Sequence, residues 1–172
     1  PAMVDKSLLN IENHLQYLGY YDSDVMSVVS ARKKKVDVTY RITLGKRYPI
    51  KDVTLTLPEN GEFSVDFIRD TSALKIQEGD YLSEADLEAE AERSSTLMRD
   101  KGFYTFNKNY YFFEADTLTY PGFALLNLTI NEYTRNQSPK DAQPLRKFYI
   151  NDVTISYPKT LKFREKVLKE LN

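Results

Sequence analysis

The chain has 172 residues, 41% of them hydrophobic and 28% charged, the balance of a folded globular protein and too apolar for a disordered one. Its 24 basic and 25 acidic side chains nearly cancel, so no overall field draws it to nucleic acid or to an anionic membrane. With no cysteine, disulfides, thiolate nucleophiles and cysteine metal sites are excluded.

Spacings of three and four among Leu8, Ile11, Leu15 and Leu18 predict a helix over residues 5–18, ended by Gly19. Tyr20-Tyr21 then lead into a strand near residues 25–29, a turn at 30–34, and a strand in which Val36, Val38, Tyr40, Ile42 and Leu44 alternate with polar residues. After Gly45 comes another alternating stretch (Ile50, Val53, Leu55, Leu57), closed by Pro58. A turn at 59–61 precedes a short helix around 64–74 with Val65, Phe67 and Ile68 as its apolar side. Ser83, with Asp86 three residues on, caps a longer helix over 84–100. Its inward face is Leu87, Ala91, Ser94 or Ser95, and Met98, and its outer face is strongly acidic. Gly102 ends it, Phe103-Tyr104 follow, and strands are expected at about 110–116 and 124–132. A polar linker over 134–144, a further strand and a helix over 160–171 (Leu161, Val167, Leu168, Leu171) complete the chain. No apolar run approaches the length of a membrane-spanning helix, no signal peptide is visible, and Pro1-Ala2-Met3 reads as the start of an internal piece of a longer protein.

Two segments repeat. Residues 47–58 align without a gap on 147–158, with Ile50/Ile150, Asp52/Asp152, Val53/Val153, Thr54/Thr154 and Pro58/Pro158 identical. A second echo pairs Gly19-Tyr20-Tyr21 with Gly102-Phe103-Tyr104, each following a helix and preceding two strands. The repeating unit is therefore strand, helix, helix, strand, strand, and repetition of this kind implies an array. Residues 46–134 hold one complete unit, 1–45 the C-terminal part of a preceding one, 135–145 a linker, and 146–172 the N-terminal part of a following one. Each fragment is poorly satisfied alone, because an isolated hairpin with a helix is marginal.

This element order resembles the polypeptide-transport-associated (POTRA) domain of the BamA/TamA outer-membrane protein assembly family. The resemblance is carried by Gly45, Tyr48, Ile50 and Val53, by Phe148, Ile150 and Val153, by the two Gly-aromatic steps, and by the alternation at 36–42 and 126–130. It implies an α+β fold of tandem β-α-α-β-β units, each a three-stranded mixed sheet with two helices on one face. It also implies a non-enzymatic, periplasmic, polypeptide-binding module. Such a module receives unfolded outer-membrane or secreted polypeptides, docks accessory assembly proteins, and belongs to a parent that carries a membrane β-barrel. The alternative is a scaffold that recruits folded partners, as in cell division or secretion. Interdomain hinges are expected over 43–48 and 134–146, at Gly45, Tyr48 and Phe148, and the incomplete end units invite self-association.

Catalytic chemistry is poorly supplied. The only histidine, His14, lies mid-helix with no nucleophile elbow in the chain, which reads as a surface or interface residue rather than part of a triad. Glu84, Asp86, Glu88, Glu90 and Glu92 fan around their helix rather than converge, so a solvated face is expected there and no metal site or cofactor. The basic run Arg32-Lys33-Lys34-Lys35 reads as a solubilising turn, with lipid or acidic-partner docking as the alternative. Tyr110, Tyr111, Phe112 and Phe113 put rings on both faces of one strand, where a sheet covered on one side needs only alternate apolar residues. In a POTRA unit that strand is at the sheet edge, so the rings either line a peptide-binding edge used for β-augmentation or pack on a neighbouring element.

Overall fold

The computed structural model describes residues 2–33, 35–59, 61–70 and 74–156. The helix expected at 160–171 and the close of the second repeat at Tyr157-Pro158 lie outside the described residues. In chain order the elements are α1 (Ala2–Tyr17), β1 (Asp24–Arg32), β2 (Lys35–Thr43), β3 (Ile50–Thr56), α2 (Glu62–Asp70), α3 (Glu84–Asp100), β4 (Tyr111–Asp116) and β5 (Ala124–Ile130). The fold is α+β.

β3, β5 and β4 form a three-stranded mixed sheet in that spatial order. β3 runs parallel to β5 (Val53 beside Leu126, Leu55 beside Leu128), and β4 runs antiparallel on its other side (Tyr111 beside Ile130, Phe113 beside Leu128). The central strand alternates strictly: Ala124, Leu126, Leu128 and Ile130 are all buried on the face that carries both helices. From α2 come Phe63 and Phe67, and from α3 come Ala91 and Met98, joined by Phe103, Phe106 and Tyr111. Phe63 is the hub, edge-on to Phe103 and Phe106 and stacked on Phe67. A second cluster of Ile50, Ile76, Leu82, Leu87, Ala124 and Leu126 continues the core towards the other end. α3 is clamped to β4 by buried Ser94, whose hydroxyl donates to the Glu90 carbonyl and meets the Tyr111 hydroxyl. Burial holds the Tyr111 phenol neutral, pushing its pKa far above the ordinary value.

β1 and β2 form a separate antiparallel hairpin, Val25 beside Ile42 and Val29 beside Val38, with α1 against β1. Only Val25 of its apolar residues is buried; Met26, Val29, Val36, Val38 and Ile42 are exposed. The hairpin joins the larger sheet through a two-bond bridge between Tyr21 and Lys46. Gly45 is required at this crossing, since a Cβ there would lie 1.8 Å from the Tyr21 carbonyl oxygen. Beside the bridge the Arg47 guanidinium stacks on Tyr20 and Tyr81. The second junction repeats the arrangement. Gly102, at φ +102°, lies against Phe148, whose N–H donates to the Gly102 carbonyl, and Lys147 sits over Phe103. Each cation at the start of a repeat thus meets the ring that follows a helix-ending glycine.

The structure corrects several sequence expectations. The apolar side of α2 is Phe63 and Phe67, while Val65 and Ile68 are 65% and 61% exposed, because the helix begins at Glu62 and its phase places the phenylalanines inward. Glu90 is not on a solvated face: its side chain is 1% exposed and holds Arg93 at 2.6 Å. Tyr110 belongs to a 3-10 turn (Lys108–Tyr110) capped by Asn107, rather than to the strand. The hairpin strands reach Arg32 and resume at Lys35, so the expected turn at 30–34 shrinks to its tip, with Lys33 at φ +55°. The segment after β5 is also tied down. The Arg135 N–H donates to Asn109, Gln143 donates to Glu132, Leu145 packs on the core, and Ser138 and Asp141 form a capping box. Residues 147–156, expected as a strand, form none: Ile150, Val153 and Ile155 are exposed, and no strand among the described residues pairs with them. The same pattern is a strand at β3 because β5 supplies its ladder.

Candidate functional site

β4 is an outer strand of its sheet, and its free side opens on a groove of about 640 Å3 bounded by α3. In an antiparallel pair, backbone groups alternate between the partner and the open side. Asn131 N–H donates to the Tyr110 carbonyl, which sets the phase: residues 112, 114 and 116 bond to β5, and 111, 113 and 115 face outward. At Tyr111 both outward groups are engaged, the N–H by the Lys108 carbonyl and the C=O by Arg135 Nε at 2.8 Å. Phe113 and Ala115 present the remaining N–H and C=O pairs, a ladder for a short added strand.

The groove floor is apolar, from Leu87, Ala91 and Phe113, and its rim carries Glu88, Lys108 and Glu114. Lys108 Nζ donates to Glu88, and Tyr17 Oη of α1 donates to the other Glu88 oxygen at 3.0 Å. The Lys108 bond, helped by Tyr17, holds the Glu88 carboxyl below the usual carboxylate range, and the same bond raises Lys108. At neutral pH the rim is therefore a fixed ion pair rather than a proton donor. Chemically the site offers open backbone groups over an apolar floor, which can accommodate an extended chain.

The four aromatic residues do not act as one surface. Tyr111 is in the core, Tyr110 packs on Phe106, and Phe113 lies over both core clusters beside the groove. Phe112 is on the opposite face of the sheet, edge-on to Tyr133. Gly45 N–H donates to the Ser23 hydroxyl, the Tyr48 carbonyl accepts from Leu82 with its ring on Tyr21, and Phe148 is bound to Gly102 as above. His14 lies beside Tyr17, stacked at 6.2 Å. Among the described residues no group of three or more His, Cys, Asp or Glu side chains gathers as for a metal ion, and no helix is long and apolar enough to cross a membrane. The residues missed in the sequence are Lys108, which crosses the groove to Glu88, and Arg135, which reaches back to the edge. Lys108 precedes the strand expected at 110–116, and nothing in the Asn107-Lys108-Asn109 run marks it as crossing to Glu88.

No protein-family model matches the chain, and no curated protein matches it. Among solved structures it is similar to the POTRA3-5 segment of Haemophilus influenzae BamA at 16% identity and a TM-score of 0.48, over 74% of this chain and 49% of that one. It is also similar to BamA from Haemophilus ducreyi lacking POTRA domains 1-3, at 14% identity and a TM-score of 0.43, over 77% of this chain and 24% of that one. The chain spans about half the length of the first and about a quarter of the second.

Proposed function

We propose that this chain is a non-enzymatic, polypeptide-binding part of a periplasmic POTRA array in an outer-membrane assembly or translocation protein. Its units are 1–45 (partial), 46–134 (complete) and 146–172 (partial), with 135–145 between them. The complete unit receives unfolded outer-membrane or secreted polypeptides by β-augmentation on β4, passes them towards a membrane β-barrel of the parent, and docks accessory assembly proteins. The observation that supports this reading is the open ladder at Phe113 and Ala115 above an apolar groove. Backbone bonds supply affinity for any sequence, which suits substrates of varied sequence.

The test replaces Ala115 by proline. The Ala115 N–H points away from β5, so Ala115→Pro removes one outward donor and blocks the edge while leaving the β4–β5 ladder intact. Tyr111 is unsuited to such a test, because its ring is core. Fluorescence anisotropy with labelled extended peptides should show binding to the unaltered chain and at least a tenfold loss in Ala115→Pro. Equal binding by a correctly folded Ala115→Pro chain would dispose of augmentation at β4.

A further inference from the structure

The two faces of β4 differ in charge. Tyr111 and Phe113 point to the helix-covered side and its core, whereas Phe112 is on the open side against Tyr133. By strand alternation Glu114 and Asp116 share the open side with Phe112, and both are exposed. The β5 residues beside them are neutral: Asn127 pairs with Glu114, and Leu125 with Asp116. One strand further in, Thr54 lies beside Asn127 and Asp52 beside Leu125, which adds another carboxylate to the same face. Lys51, also on β3, is held over the Tyr120 and Phe123 rings. Among the described residues the rim cation Lys108 pairs with Glu88, and neither Glu114 nor Asp116 has an ion-pair partner. The Thr119 hydroxyl, with the Leu118 and Thr119 N–H groups, donates to Asp116 and holds its carboxyl below the usual carboxylate range. This stretch of the edge is therefore anionic at neutral pH, and Glu84 adds to it from the helix side of the groove.

We propose that β4 selects, among extended polypeptides, segments in which apolar residues alternate with lysine or arginine. The inference rests on reading β4 as a receiving edge and names the chemistry that the edge receives. Phe113 and Ala115 carry the outward backbone pairs, so an antiparallel strand docked on them meets Glu114 at a non-hydrogen-bonded position. Facing side chains come closest at such positions. A lysine or arginine there lies directly opposite Glu114, and a second one, two residues away, lies opposite Asp116. The alternate side chains of the same strand fall on the other face, over Leu87, Ala91 and Phe113 at the groove floor. An acidic strand would set carboxylate against carboxylate, and so would β4 of a second copy. The edge thus repels its own kind while admitting a basic strand.

Three labelled peptides test this by fluorescence anisotropy on the full chain. Each has valine at every second position, with lysine, serine or glutamate between. At low salt the lysine peptide should bind about 2- to 30-fold tighter than the serine peptide, from two opposite-charge pairs, and the glutamate peptide should bind weakest. Added salt should narrow these differences. Glu114→Lys changes an exposed residue and leaves one charge of each sign opposite the docked strand, so the two charged peptides should then bind alike. Ala115→Pro should remove binding of the lysine peptide, which separates the edge from general attraction to the chain. A lysine preference that persists in Glu114→Lys, or lysine-peptide binding that survives Ala115→Pro, would assign the selectivity to another surface and overturn the inference. Equal binding of all three peptides, lost in Ala115→Pro, would overturn it while leaving β4 a receiving edge. Binding of none of them would overturn both readings.

Discussion

Replacing Arg135 by alanine should weaken the fold and strengthen peptide binding, a combination few substitutions produce. Arg135 Nε donates to the outward carbonyl of Tyr111 at 2.8 Å in a partly buried setting. A hydrogen bond to a charged donor contributes about 1.5–3 kcal/mol, so Arg135→Ala should lower stability by roughly that amount or less, given partial solvent access. The same change frees one more acceptor on the open side of β4. An added strand then gains one backbone bond worth about 0.5–1.5 kcal/mol, which corresponds to affinity about 2- to 12-fold tighter. Urea titration measures the first effect and anisotropy with a labelled extended peptide the second. The reasoning fails if Arg135→Ala, folded, binds the peptide equally or more weakly. In that case the added strand does not reach Tyr111 at all.

Two further outcomes follow from buried or clamped charges. Arg93→Met should destabilise the chain by about 3–5 kcal/mol in urea titration, because it strands the buried Glu90 carboxylate; Glu90→Leu/Arg93→Met, which removes both charges, should recover much of that loss. The Lys147 bond, aided by Arg69, holds the Asp66 carboxyl below its usual range. A depressed carboxylate stabilises above its unfolded pKa and loses that contribution as pH falls through the folded value. NMR of the Phe148 amide should therefore report docking on Gly102 from neutral pH to about pH 4 and release only below it. Asp66→Asn should loosen the contact already at neutral pH; an unchanged amide in that variant would refute the linkage.

Local pattern made α3 and its ends readable, whereas the helix expected at 64–74 spans Glu62–Asp70. α3 runs over the 84–100 span that its periodicity predicts, and Ser83 accepts from the Asp86 N–H as its spacing requires. The edge position of β4 was legible from the POTRA resemblance rather than from alternation, which shows only that one face of a strand is buried. What stayed hidden depended on partners far along the chain. Glu90 shares a helical stripe with Leu87, Ala91 and Ser94, and the ion pair with Arg93 makes its burial tolerable. The 134–144 stretch looks like a linker by composition, yet Arg135 and Gln143 fasten it to Asn109 and Glu132. The second copy of the strand motif shows the limit most clearly. Its residues match those of β3, but strand formation belongs to a pair of segments rather than to one.

The twin junctions have a geometric consequence. In the array proposed above, a cation resting on the ring after a helix-ending glycine would set where each successive unit begins relative to the last helix of the one before. Repeating one such step compounds a constant rotation and advance, as in a spiral staircase, so the reach and handedness of a long protein of this kind would be written in a few residues per landing.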